Sequence, residues 1–481
     1  MTRAVGNLER FSTVRHHAGI YRCVVSTARY VTSTSPENLE TTIQAALTKV
    51  ILQHPALCCG IVDDDKNESS FVRLESIDLS RCIEHKPLEA LVMGEHEEGL
   101  IRILETRHSE TFPDVDRIPP WRLIIVQSPA LKSDGGVKFD VVFAFHHAIG
   151  DGMSGVVFHR SLLSALETIA TTAPPSILVN IPTSTTLSPA VENRINFKIS
   201  WLFLLAQLWK QVKPRWLFPD PLPPWTSTPI SAANIARYIS RVKILYLPPQ
   251  TVKQVLSVCR KERATLTGLL HGLAVASFST HVPEAQSFSS STPYSLRGLS
   301  GMSTTDEMGV QVSGLPSAYS PELVMCIRSS KTPEQLSKRI WTIARDFRAE
   351  MSVEIAKLPN DNQIGLIPYI SDLKGFFTEQ IGKPRESTYE VSNVGVLRQK
   401  DEGGTWNIER LCFTQSGMGT GAAVGINVAS VTGGDLAVSF TWLQGDIEER
   451  LVHEVMEDVR FGLGCVSEGK DVSAGPWEVR R

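Results

Sequence analysis

Cysteine is scarce and scattered. The eight residues Cys23, Cys58, Cys59, Cys82, Cys259, Cys326, Cys412 and Cys465 include no Cys-x-x-Cys pair, and they lack the density of a secreted disulfide scaffold. Reduced, mostly buried thiols are the expectation. The first ten residues meet Arg3, Glu9 and Arg10 before any apolar core forms, so no secretory signal is read there and residence in the cytoplasm is expected. Charge of one sign is also missing. Lys and Arg number 48 against 51 Asp and Glu, a net charge of −3, which provides no general attraction to polyanions and excludes nucleic acid as an expected partner. Long apolar runs are absent too. The most apolar stretch, Trp201 to Trp209, is too short to span a bilayer and is flanked by Lys198, Lys210 and Lys213. Its length favours a buried or interdomain helix. The alternative is an interfacial helix, giving peripheral contact with a membrane or lipid droplet through 197–213.

Several catalytic signatures are missing. No Gly-x-Ser-x-Gly elbow supports a serine hydrolase. Gly417-Met418-Gly419-Thr420-Gly421 has neither Rossmann spacing nor a Walker lysine and reads as a glycine-rich turn. No His, Cys or acidic cluster has a familiar metal-ligand spacing, so neither a metal nor a bound cofactor is expected.

What is present is a large apolar inventory, 42% of 481 residues, enough for two sizeable cores. Tyr21, Cys23 and Val25 alternate in a strand within 19–31. A helix follows, with Ser35 as N-cap, Pro36 at its first position, and Leu39, Ile43, Leu47, Val50 and Ile51 at helical spacing until His54-Pro55. Thr251 to Cys259 and Thr265 to Ser277 read as helices, with His271 a core residue of the second. Ala422 to Val431 and Asp435 to Trp442 read as a hairpin through Thr432-Gly433-Gly434. The pattern is mixed α/β. Composition shifts to Thr, Ser and Pro over 171–189 and to Pro and Trp over 214–229. The expected division is an N-terminal domain 1–213, a linker 214–240 and a C-terminal domain 241–481.

The chemistry concentrates in His146-His147-Ala148-Ile149-Gly150-Asp151-Gly152, which follows the apolar run Val141 to Phe145. From composition, a His-His-x-x-x-Asp-Gly match anywhere in the chain has a chance on the order of one in a thousand. The odd positions Val137, Phe139, Val141, Phe143 and Phe145 are all apolar, and Val156, Val157, Leu162, Leu163 and Leu166 describe a helix beyond Gly152. An imidazole at the mouth of a buried strand can face substrate while its neighbours stay packed. Neutral imidazole is a suitable base for an alcohol or amine near pH 7. His147 takes this role, and His146, pointing the other way, is a packing or hydrogen-bonding neighbour. The glycines at 150 and 152 indicate a turn, so Asp151 is assigned a structural role, capping the next helix or pairing with a distant arginine.

The motif resembles the signature of the superfamily that contains chloramphenicol acetyltransferase (CAT), plant BAHD acyltransferases and peptide-synthetase condensation domains. With Leu8-Glu9-Arg10-Phe11, Arg15-His16-His17-Ala18-Gly19-Ile20-Tyr21, Pro119-Pro120-Trp121-Arg122-Leu123 and Ser392-Asn393-Val394-Gly395, the chain is most similar to fungal alcohol acetyltransferases. The resemblance implies two CAT-like domains, each a mixed sheet flanked by helices, with the active-site channel between them. It implies an O-acyltransferase that takes acyl-CoA, chiefly acetyl-CoA, as co-substrate and a small lipophilic alcohol or secondary metabolite as acceptor. His147 would be the base and Asp151 would pair with an arginine of the second half, for which Arg297 is the positional match. His146 and Gly152 would support the turn. Ser392, Asn393 or nearby backbone N–H groups are candidates for the oxyanion, and Thr414, Gln415 and Ser416 for the channel wall. The alternatives are an N-acyltransferase or condensation-type amide synthase, and a non-catalytic CAT-like binding protein. The plant Asp-Phe-Gly-Trp-Gly sequence and any fused carrier segment are absent. A monomer is expected.

Overall fold

The computed structural model describes residues 2–32, 38–66, 68–131, 136–169, 176–213, 223–399 and 404–472. The expected opening strand is Val24–Thr32, buried along nearly its whole length. The helix after it runs Leu39–Gln53. Its N-cap is Asn38, whose side chain accepts the Thr41 N–H, which corrects the expected start. Ser35 and Pro36 lie outside the described residues. His54 ends this helix as expected.

The first sheet has five strands in the order Trp406–Gln415, Val24–Thr32, Val137–Phe145, Trp121–Gln127, Ile83–Pro87, antiparallel except for the last pair. Alternation along Val24–Thr32 decides what covers each face. Tyr30 turns toward His159 of the helix Gly152–Thr168, while Arg29 turns toward Glu97 of the helix Met93–Ser109 and pairs with Asp140. The sheet is thus sandwiched between helices. Its central strand, Val137–Phe145, is buried from Phe139 onward, which brings the end that carries the histidines to a fully packed site.

The second sheet has six strands in the order Ser240–Leu247, Leu436–Leu443, Ala422–Val431, Ser387–Leu397, Phe288–Ser295, Val312–Tyr319, with parallel pairing at Ser387–Leu397 and antiparallel pairing elsewhere. The expected hairpin is present, with Gly433 at φ +76° in its turn. The helices Leu266–His281 and Glu449–Ser467 supply the apolar side chains that pack with this sheet into a second core. His271 is buried there, bonded to Tyr389, Tyr319 and Thr292.

The halves are interleaved. Trp406–Gln415, from the C-terminal half, completes the first sheet by pairing with Val24–Thr32. Of the expected linker 214–240, residues 214–222 lie outside the described residues. The remainder is built into the seam, where the Tyr238 hydroxyl donates to the Gly417 carbonyl. Tyr238 is buried there. The apolar helix Trp201–Val212 departs from the buried reading. Trp201 and Leu202 are each 80% exposed and Leu205 is 58% exposed.

Candidate active site

The strand Val137–Phe145 stops where the chain turns at the histidines. His146 N–H donates to the Pro120 carbonyl at 2.9 Å, and Ala148 N–H donates to His146 Nδ1 at 2.9 Å. His146 Nδ1 is therefore an acceptor and its proton sits on Nε2. Its ring is buried and lies 4.4 Å from that of His16, and burial holds it well below the usual histidine range. It is a neutral packing residue that shapes the turn.

His147 differs in keeping part of its surface accessible. Its Nδ1 is enclosed and meets no hydrogen-bond partner among the described residues, and the carbonyls of His147 and Gly150 lie near the ring. Burial, and after it the Arg15 guanidinium, lowers the ring to about 4, so it is unprotonated at neutral pH. The arrangement suits a proton acceptor.

Asp151 turns away from this imidazole. It is the N-cap of Gly152–Thr168, with Oδ1 accepting from Ser154 N–H at 3.0 Å and Oδ2 from Gln311 N–H at 3.0 Å. Arg297, 1% exposed, donates from Nη2 to Asp151 Oδ1 at 2.9 Å. The other guanidinium bonds end on the carbonyls of Ser303, Glu307 and Gly309 and on Ser154 Oγ. Gly152 is fixed by space, because a Cβ there would come within 2.6 Å of Val394 Cγ1 and 3.0 Å of Phe413 Cζ. The helix start thereby packs directly on strands from the second half.

The other expected residues divide. Thr414 Oγ1 is bonded to His108 Nε2 at 2.7 Å, and Ser416 Oγ accepts the Arg22 N–H at 3.1 Å, so both brace the seam. Asn393 is engaged at a bulge, donating to Thr267 and accepting the Gly395 N–H. Ser392 shares a face of its strand with Glu390, opposite the core residues Tyr389 and Val391.

A polar network beside His147 joins Gln415, expected at the channel wall, to Tyr21 and Glu390, for which no site role was expected. The Tyr21 ring lies 5.7 Å from that of His147, and its hydroxyl donates to Gln415 Oε1 at 3.0 Å. Gln415 Nε2 donates to Glu390 Oε1 and to Asn427 Oδ1, each at 2.9 Å. Arg15 stacks 4.7 Å from the Tyr21 ring. Burial pushes the Glu390 carboxyl up to about 7. A carboxylate in the otherwise apolar and small-residue run Tyr389 to Val396 was the available signal.

Among the described residues no cluster of His, Cys, Asp and Glu is arranged to hold a metal ion. The family model described as alcohol acetyltransferase matches residues 4–458. A probable alcohol acetyltransferase of Fusarium pseudograminearum, FCK4, is 29% identical over 97% of this chain and 96% of its own length. Another of Aspergillus fumigatus, crmB, is 26% identical over 94% and 97%. The solved structure of the TRI3 trichothecene 15-O-acetyltransferase from Fusarium sporotrichioides superposes with a TM-score of 0.69, at 12% identity, covering 97% of this chain and 94% of that one. That likeness establishes the CAT-like fold, a mixed α/β architecture of two sheet-rich halves. With its family match running nearly end to end, the chain belongs to the alcohol acetyltransferase family of acyltransferases.

Proposed function

We propose that the protein transfers an acyl group, acetyl in the first instance, from a CoA thioester to the hydroxyl of a small lipophilic alcohol, with His147 as general base. The observation that carries this reading is an uncharged, partly accessible imidazole at the strand end. The acceptor O–H proton passes to His147 Nε2 as the oxygen attacks the thioester carbonyl. The tetrahedral oxyanion collapses, the C–S bond breaks, and the departing sulfur takes the proton back from the imidazolium. The products are the ester and free CoA thiol, with no acyl-enzyme between. Negative charge developing on the carbonyl oxygen favours the imidazolium beside it, which offsets the low resting basicity of a desolvated ring. Ser392 is the proposed oxyanion donor, in preference to Asn393, whose amide is already bonded.

On this reading the lobes are 1–213 and 241–481, joined through 214–240, and donor and acceptor meet at their seam. We also propose a monomer that works in the cytoplasm and rests on lipid through 197–213. The exposed apolar face of Trp201–Val212 supports this, as do Lys198 and Lys213 at its flanks and the lack of any acidic residue between them. The test of function mixes purified protein with acetyl-CoA and panels of alcohols and amines while free thiol is followed. Release with an alcohol is expected. Release only with amines overturns O-acylation, and none with any acceptor overturns the enzyme reading.

A further inference from the structure

Three guanidiniums converge on a cleft that the reaction scheme above does not use. Arg22, Arg107 and Arg122 line an open cleft of about 500 Å³, together with Glu110 and Thr111. Arg107 and Arg122 are only 5% and 7% exposed. Arginine this deeply buried is ordinarily paired with a carboxylate. Among the described residues the three cations share one such partner. Arg107 Nη1 lies 2.9 Å from Glu110, and its Nη2 donates to the Thr111 carbonyl. Arg122 spends Nη1 on the carbonyls of Pro119 and Trp121, and among the described residues it forms no ion pair. The Arg22 guanidinium stacks 4.3 Å from the Tyr238 ring, and its Nε is buried without a hydrogen-bond partner, as is that of Arg107. The imbalance is local, since the chain as a whole is slightly acidic. Desolvation holds Arg22 and Arg122 below their ordinary range, the mark of cations lacking a counter-charge.

Ring contacts connect the arginines of the cleft with the histidines. The guanidinium carbons of Arg107 and Arg122 are 5.0 and 5.8 Å from the Phe112 ring, and the His146 ring is 6.3 Å from it. Arg22 directly follows Tyr21, whose ring faces His147. A ligand held here by its anionic end could extend a neutral arm to the reacting centre. Guanidinium forks match the paired oxygens of phosphate esters, and the volume exceeds what a single small ion fills.

We propose that Arg22, Arg107 and Arg122 form the subsite for the phosphate groups of the thioester donor, with the pantetheine arm running past Phe112 toward His147. The inference rests on the acyl-CoA reading and deepens it. It divides the work on the donor, with the cleft supplying affinity through phosphate and His147 supplying chemistry at the thioester.

The test compares acetyl-CoA with S-acetylpantetheine, which has the same thioester and no nucleotide phosphates, in the wild-type full chain and in Arg22→Gln, Arg122→Gln and Arg122→Lys. Loss of a charge-assisted contact should raise KM for acetyl-CoA about tenfold or more in the Gln variants. The kcat/KM for S-acetylpantetheine should stay within about twofold of wild type, since that donor never engages the cleft. Arg122→Lys should fall between the two, because charge is kept and the fork is lost. Equal effects on both donors, or no effect on acetyl-CoA, overturn the proposal. Should Arg122→Gln fail to fold, Arg22→Gln decides alone, since its guanidinium loses only a ring stack. Should wild type use neither donor, the acyl-CoA reading fails, and the cleft is judged by calorimetric titration with CoA. Binding lost in Arg22→Gln sustains the anion site, and absence of binding to wild type overturns it.

Discussion

Arg297 and Asp151, 146 residues apart in sequence, meet at 2.9 Å with both side chains almost wholly removed from solvent. The pair ties the N-terminus of the motif helix to the second half, and Asp151 also caps that helix. Removing one partner leaves the other charge buried, so Arg297→Met should cost about 3–5 kcal/mol of stability. Asp151→Asn should be destabilised in the same direction. It keeps a cap acceptor but leaves Arg297 uncompensated. Urea unfolding measures both, and the folded fraction should still turn over. A stable Asp151→Asn protein that is catalytically dead would overturn the structural assignment.

The imidazole that does chemistry should separate from the one that does packing. His147→Ala is expected to lower turnover by at least about a hundredfold, the usual contribution of a positioned base. Its unfolding midpoint should move little, because Nδ1 makes no hydrogen bond that the fold depends on. His146→Ala should show the opposite balance, since it loses the Ala148 N–H contact and leaves a cavity beside His16. Thiol-release kinetics and thermal melts on the same preparations separate the two. Equal losses of activity per folded molecule would contradict the assignment.

Acid should destabilise the protein above the range in which ordinary carboxylates protonate, with the raised Glu390 carboxyl opposing the trend and outnumbered by the buried histidines. Desolvation lowers His16, His108 and His271 to about 3 and His54, His147 and His159 to about 4. Each is neutral in the folded chain but titrates near 6.5 once unfolded. Between roughly pH 6.5 and 4 the unfolded state therefore binds protons that the folded state refuses. Stability is full above that window and falls as pH drops through it. The urea midpoint at pH 5 should lie below that at pH 7.5. A flat profile between those values would contradict neutral burial of these rings.

The strand, histidine turn and helix were legible because each has a local cause: apolar alternation, a break at paired glycines and a capping aspartate. Position 297 needed the family resemblance, since nothing local marks an arginine for burial. Pairing across the seam was not readable at all. Alternation in Trp406–Gln415 says which residues share a face but not which sheet accepts the strand, and that strand supplies Gln415 to the network with Tyr21 and Glu390. The helix beginning at Asn38 was misplaced because Ser-Pro and Asn offer equivalent start signals a few residues apart.

Length misdirected the reading of Trp201–Val212, where a short apolar helix was expected to be buried. Leu208 and Trp209 join Trp201, Leu202 and Leu205 on the surface, an arrangement that water alone does not favour. A partner protein would offer shaped contacts. The sequence offers instead Trp near both ends, lysines at 198, 210 and 213, and no acid from Ile195 to Pro219, which is the chemistry of an anionic bilayer surface. Flotation with vesicles containing phosphatidylserine should carry the wild-type protein upward. The double substitution Leu205→Asp and Leu208→Asp should abolish this while leaving turnover of a water-soluble alcohol unchanged, because neither side chain touches the histidine turn. Vesicles lacking anionic lipid should bind more weakly, each nearby lysine contributing about 1 kcal/mol to the attraction. Wild-type protein that stays at the bottom of the gradient with both vesicle types would remove the lipid surface as the occupant of this face.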